Sequence, residues 1–165
     1  MSDITHEPAT GSEIAPVAGT GRSGEATDHR GLRVLNLEEC LDLLRENPVG
    51  RVGFVHDGEI VILPVNHVVQ GTQVLFRTTW GSKLQSAEDE ARVGFQVDHY
   101  DTATRTGWSV LVQGSAEVVY NNDECQLLDA LAPEPWLHLG EEAFWVRILA
   151  VQISGREIVV RPSTS

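Results

Sequence analysis

The sequence predicts a mainly β (α+β) fold, a small antiparallel split β-barrel with two to three short flanking helices. Three observations carry that expectation. Six or seven short apolar segments alternate with a period of two. Turn-forming pairs such as Asp57-Gly58 and Gly71-Thr72 separate some of them so tightly that sequence neighbours must pair antiparallel. The strands are too few for a sandwich plus a second domain, so one closed or split barrel suits the count. A chain of 165 residues, 41% of them hydrophobic, fits one such domain with a substantial core.

Residues 1–30 are rich in Gly, Ser, Thr, Glu and Ala and lack an apolar period, so they are expected as a disordered leader before a domain at 31–165. Asn36, with Glu39 three positions on, predicts a capping box. Leu37, Cys40, Leu41 and Leu44 then follow helical spacing until Asn47-Pro48 stops a helix over 37–46. Val49 to His56 alternates as a strand, Asp57-Gly58 turns it, and Glu59 to Gln70 returns. Pro64 inside the return strand signals an edge, a bulge or a break, because it cannot donate a ladder hydrogen bond. Gln73 to Thr79 completes a meander, and Gly81 to Ala91 reads as a helix. Further strands are expected at 92–98 and 108–120, with a polar crossover loop at 100–107 between them. A helix over 123–131 and a Pro-containing loop over 132–140 come next. The last strands are expected at 144–153 and 157–161, joined through Ser154-Gly155-Arg156.

Composition narrows the function. A net charge of -12 opposes a nucleic-acid partner, whose phosphates need a basic face. No apolar run approaches the length of a membrane span, and the N-terminus lacks the n- and h-regions of a secretory signal, so a cytoplasmic location is the default expectation. Cys40 and Cys125 are too few for a disulfide framework or a zinc site; both read as reduced, packed thiols, and no metal site is expected.

Against that acidity one basic stretch stands out. Lys83 is the single lysine beside eleven arginines, and Arg77, Thr78, Thr79, Ser82 and Lys83 fall within seven residues. On a strand Leu75, Arg77 and Thr79 share one face and Val74, Phe76 and Thr78 the other. A turn at Trp80-Gly81 would return Ser82 and Lys83 at a helix N-terminus, where free N–H groups and the dipole favour an anion. An Arg fork, a Lys point charge and hydroxyl donors together suit a phosphate. On the residues alone, solvated charges and turn-forming hydroxyls remain an open alternative.

Three segments in order resemble the pyridoxamine 5′-phosphate oxidase-like flavoproteins, the FMN-binding split β-barrels, and especially their compact actinobacterial members. Leu63-Pro64-Val65-Asn66-His67 looks like the strand that lies along the flavin ring. Phe76-Arg77-Thr78 with Ser82-Lys83 looks like the phosphate site, and Gly107-Trp108-Ser109 through Gly114-Ser115-Ala116-Glu117 like the long strand with a Gly-x-Ala-Glu signature. The resemblance covers roughly residues 32–161. It implies FMN held by Pro64, Val65, Asn66, Arg77, Thr78, Thr79, Ser82, Lys83, Trp108 and Ser109, at the interface of a homodimer. The region around Trp145 and Arg147 would also approach the cofactor, with plain core packing the alternative for Trp145.

True vitamin B6 oxidases of the family end in an Arg/His substrate motif, and no histidine follows His138 here. The resemblance therefore implies a flavin-dependent oxidoreductase acting on some other small molecule. The deazaflavin F420 is the alternative cofactor, which the overall acidity disfavours because its polyglutamyl tail would want a basic groove. A flavin-binding or sensing module without turnover is the alternative function. His67 is the one candidate for a proton donor. Adjacent strand residues face opposite ways, so Asn66 and His67 cannot both meet the ring, and a structural or exposed histidine is equally open.

Overall fold

The computed structural model describes residues 26–79, 92–132 and 143–159. Among them the chain forms β1 (Arg33–Leu35), α1 (Leu37–Glu46), β2 (Val49–His56), β3 (Glu59–Gln70), β4 (Gln73–Thr78), β5 (Arg92–Asp101), β6 (Thr106–Val118), α2 (Asn122–Leu131) and β7 (Phe144–Ile158). The helix expected at 81–91, the loop after residue 132 and the leader up to residue 25 lie outside the described residues.

Every strand pairing is antiparallel, in the order β1-β7-β4-β3-β2-β5-β6, and β6 pairs again with β7. Six strands thus close a barrel and β1 is added on β7. The closure is partial. β3 pairs with β2 from Glu59 to Asn66 but meets β4 only from His67 to Gln70. Pro64 falls in the stretch with no β4 partner, where its missing N–H costs the sheet nothing. This is the split.

Helix α1 fills the open side, packing against β3, β6 and β7. Its start is built as the capping box requires: Asn36 Oδ1 accepts the Glu39 N–H at 2.9 Å, and Glu39 Oε2 accepts the Asn36 N–H at 2.7 Å. Cys40 and Leu44 are buried and join Val52, Phe54, Val74, Phe76, Phe95, Val110, Val112, Val146 and Ile148 in the barrel core. A second, smaller core lies outside the barrel wall, where Leu128 of α2 and Val119, just after β6, cover Leu75 and Trp145.

Three segments differ from the sequence-based expectation. β1 (Arg33–Leu35), which pairs with the end of β7, is not among the expected strands. The polar stretch after His99 is not a crossover loop. β5 continues to Asp101 and turns into β6 at Thr106, with Asp101 Oδ1 accepting the Ala103 N–H at 2.8 Å and Arg105 taking φ 57°. The two strands expected at the C-terminus are one. Gly155, read as a turn, sits within β7 opposite Val110, and a Cβ there would stand 2.7 Å from Cys40 Sγ and 2.8 Å from Leu35 Cδ1. Its lack of a side chain admits α1 and β1 rather than reversing the chain.

The β6–β7 ladder shifts register at Gln113/Gly114, a β-bulge. A Cβ on Gly114 would stand 2.0 Å from the Leu149 carbonyl oxygen, whereas one on Gly53 would meet nothing closer than 3.8 Å. Gly114→Ala should therefore destabilise the fold by about 1–3 kcal/mol through overpacking, while Gly53→Ala should stay within about 0.5 kcal/mol of the parent. Thermal and urea unfolding of the two variants check the contrast; equal midpoints would contradict the bulge geometry.

Candidate functional site

Alternation along β3 and β4 sorts the sequence-predicted residues into two sets. On β3, Val65 and His67 point into the barrel, while Ile60, Ile62, Pro64 and Asn66 point out. On β4, Val74 and Phe76 line the core and Thr78 is buried, while Leu75 and Arg77 face outward. Thr79 follows β4 and is exposed. Ser82 and Lys83 lie outside the described residues. Pro64, Asn66 and Arg77 thus share the outer wall; Val65, His67 and Thr78 do not.

Trp108 and Ser109 stand elsewhere. They begin β6, opposite Glu157 and Arg156 of β7, whereas Glu117 near the other end of β6 is opposite Arg147. Residues 109 and 117 are separated by roughly 25 Å at ~3.3 Å per residue. One protomer therefore does not bring Trp108 and Ser109 to Arg77. Trp108 packs partly on the barrel core, its ring centroid 6.4 Å from that of His99.

The outer wall around Arg77 is a charged network on an apolar base. Arg77 lies opposite Trp145, and Leu75 opposite Arg147, in the β4–β7 ladder. Trp145 Nε1 donates to Asp129 Oδ1 at 2.9 Å, and Arg77 Nη1 approaches the same oxygen at 3.5 Å. Arg147 is held by Glu124 of α2 and lies 3.5 Å from Glu117. The Nε atoms of Arg77 and Arg147 are buried with no hydrogen-bond partner among the described residues. A buried guanidinium N–H without an acceptor is costly, and Arg77 and Arg147 share this feature. Trp145 itself is buried among Leu75, Val119 and Leu128, so the core-packing alternative describes it well.

His67 has a different task. Its ring is 3% exposed, meets Phe95 edge-on at 4.8 Å between centroids, and places Nε2 2.9 Å from the Leu44 carbonyl oxygen. A carbonyl only accepts, so Nε2 carries the proton and Nδ1 is bare. Leu44 belongs to the last turn of α1, whose carbonyls lack helical partners; the ring caps one, and Asn47 Nδ2 caps Leu43 O at 2.8 Å. The His67 N–H bonds Pro48 O at 3.0 Å. Burial pushes the His67 pKa below its ordinary value, against the opposing effect of the Leu44 and Pro48 bonds. In this structure His67 clasps α1 to the barrel.

Two features escaped the sequence reading. Gly53 and Gly94 are register partners on the outer wall, and neither is needed for internal packing. Around them Val55, Ile60, Ile62 and Leu111 are exposed, Ile60 by 77%. Glycine inside a strand signals a close approach from outside, which was the available clue. The other is Asp129, an acidic residue in the final turn of a helix that has no basic residue there, a position the dipole disfavours without a partner elsewhere. Among the described residues no three His, Cys, Asp or Glu side chains gather as a metal site, and no helix is long and apolar enough to cross a membrane.

With this geometry in view, comparison with known proteins decides the family. The model for pyridoxamine 5′-phosphate oxidase matches residues 36–157. The chain belongs to that family. An uncharacterised Mycobacterium tuberculosis protein is 31% identical over 135 residues, 79% of this chain and 88% of its own. Among solved structures, a Corynebacterium glutamicum protein provisionally called a pyridoxamine 5′-phosphate oxidase superposes with a TM-score of 0.68 at 33% identity, covering 78% of this chain and 99% of its own. An FAD-binding protein of Mycobacterium smegmatis gives 0.61 at 36% identity, over 76% and 99%.

The clasp has a pH signature. The unfolded chain, with His67 near its ordinary pKa of about 6.5, binds more protons than the folded chain in the window below that value. The stability from neutral His67 is therefore present above about pH 6.5 and falls away as pH drops toward the depressed folded pKa. His67→Phe should cost about 1–3 kcal/mol at pH 7.5, from the orphaned Leu44 carbonyl, and should flatten the loss between pH 7 and 5.5. Urea unfolding across that range checks both; an unchanged pH slope would remove His67 as its origin.

Proposed function

We propose that the protein is a flavin-dependent oxidoreductase that works as a homodimer on a small-molecule substrate other than vitamin B6. The observation that carries this is Arg77: a guanidinium on the outer wall, with a buried Nε lacking a partner among the described residues, beside the outward row of β3. Family membership and the FAD-binding M. smegmatis relative support a flavin there.

In this reading Arg77 anchors the cofactor phosphate with Thr79, Ser82 and Lys83 as further donors. FMN is the first choice and F420 the alternative. Ile62 and Pro64 form an apolar shelf for the ring, and Asn66 presents an amide at its edge. Val65, His67 and Thr78 face inward and act through the wall they stiffen. The flavin, when bound, supplies hydride transfer; the protein's part is to anchor, orient and exclude water. The exposed wall of Val55, Ile60, Ile62 and Leu111 around paired glycines receives the second copy. Trp108 and Ser109, remote from Arg77 in one protomer, would reach the site from the partner.

Titration with FMN, FAD and F420, followed by absorbance and flavin fluorescence, tests the site. Arg77→Ala should weaken the preferred flavin by about 10- to 100-fold, as expected for a lost charge-assisted hydrogen bond; unchanged affinity would sink the anchor. Ile62→Arg should convert a sedimenting dimer to a monomer and lose flavin with it. A parent that sediments as a monomer and still holds flavin would refute the interface. Bound flavin that no nicotinamide or chemical reductant turns over with substrates would favour a sensing module instead.

A further inference from the structure

We propose that Asp129 is a specificity-determining residue, a fixed negative charge that weakens the Arg77 site for a phosphomonoester dianion relative to a singly charged phosphodiester. The inference rests on the reading of Arg77 as the phosphate anchor. It implies that Asp129 narrows the advantage that a terminal phosphate dianion, as in FMN, would otherwise hold at Arg77 over the single diester phosphate of F420.

Three independent features converge on this carboxylate. It stands in the last turn of α2, where the dipole opposes it and no basic side chain of that turn compensates. It is held there: its Oδ1 accepts the indole N–H of Trp145, which is 5% exposed and packed against Leu75, Val119 and Leu128. That same oxygen reaches only one corner of Arg77, at 3.5 Å from Nη1, leaving the Nε edge without a partner among the described residues. Asp129 is thus pinned by tryptophan and merely adjacent to arginine. It neither saturates the guanidinium nor is free to swing away.

The neighbouring carboxylates do not share this position. Glu124 and Glu117 both pair with Arg147. Asp129 alone of these faces the proposed anchor. Coulomb repulsion scales with ligand charge, so a dianion at Arg77 feels this carboxylate about twice as strongly as a monoanion does. The arrangement trades total affinity for discrimination by phosphate charge.

Asp129→Asn tests it, since the amide oxygen still accepts the Trp145 N–H while the charge is gone. Dissociation constants for FMN, F420, riboflavin and inorganic phosphate are compared at pH 7.5, the flavins by fluorescence and phosphate by tryptophan emission. Expected are roughly tenfold tighter FMN, roughly threefold tighter F420, tighter inorganic phosphate and unchanged riboflavin. Equal constants in both proteins, or one common factor across all four ligands, would overturn the assignment while leaving flavin binding intact. Tighter phosphate in the variant with no flavin bound by either protein would uphold Asp129 and overturn the flavin reading. Failure of every ligand to bind either protein would overturn both.

Discussion

The fold depends on the pairing of β6 with β7. β7 runs for fifteen residues and serves three neighbours: β4 at its start, β1 near its end, and β6 along most of its length. That ladder turns an open sheet into a barrel and removes two edges that would otherwise invite aggregation. Once it closes, alternation leaves each strand residue only two choices, inside or outside. The interior is spent on packing, with Phe76, Phe95 and Val110 fully enclosed. Whatever the protein binds must therefore use the outer wall, the split, or both.

The wall divides along its own circumference. Beside β4 and β7 it is covered by α2 and carries two arginines opposed by three carboxylates. Beside β2, β3 and β5 it is bare, flat at the glycine pair and apolar around it. The boundary between the two regions passes along the outward row of β3, where Pro64 and Asn66 stand. In the proposed reading the flavin would lie across that boundary, its phosphate on the charged side and its ring on the apolar side.

Most of the fold was legible because its signals are local. Asn36, Glu39 and Asn47-Pro48 delimit α1 through caps that a helix of any context would use. Asp57 and Gly58 both take positive φ, which is what their pairing in a hairpin turn demands. The misreadings arose where a local signal had a distant cause. Gly155 looks like a turn residue, yet its reason is Cys40 and Leu35, far away in sequence. Of the site, alternation alone put Arg77 on the face of β4 opposite Val74, Phe76 and Thr78, and the structure makes that face the outer one. For His67 the same rule said only that it faces away from Asn66; its inward placement and its bond to Leu44 required knowing that α1 lies across the split. Asp129 became meaningful only once α2 was seen to lie over Trp145.

The separation of Arg77 from Trp108 and Ser109 bears on how copies of this chain would share work. In the proposed two-fold pair each pocket draws the arginine end of one chain and the tryptophan end of the other. A chain crippled at one end then remains a competent donor of the other end. Mixing two such chains with complementary defects would assemble one whole pocket and one doubly damaged pocket in each hybrid. The unit of function would be half of each chain.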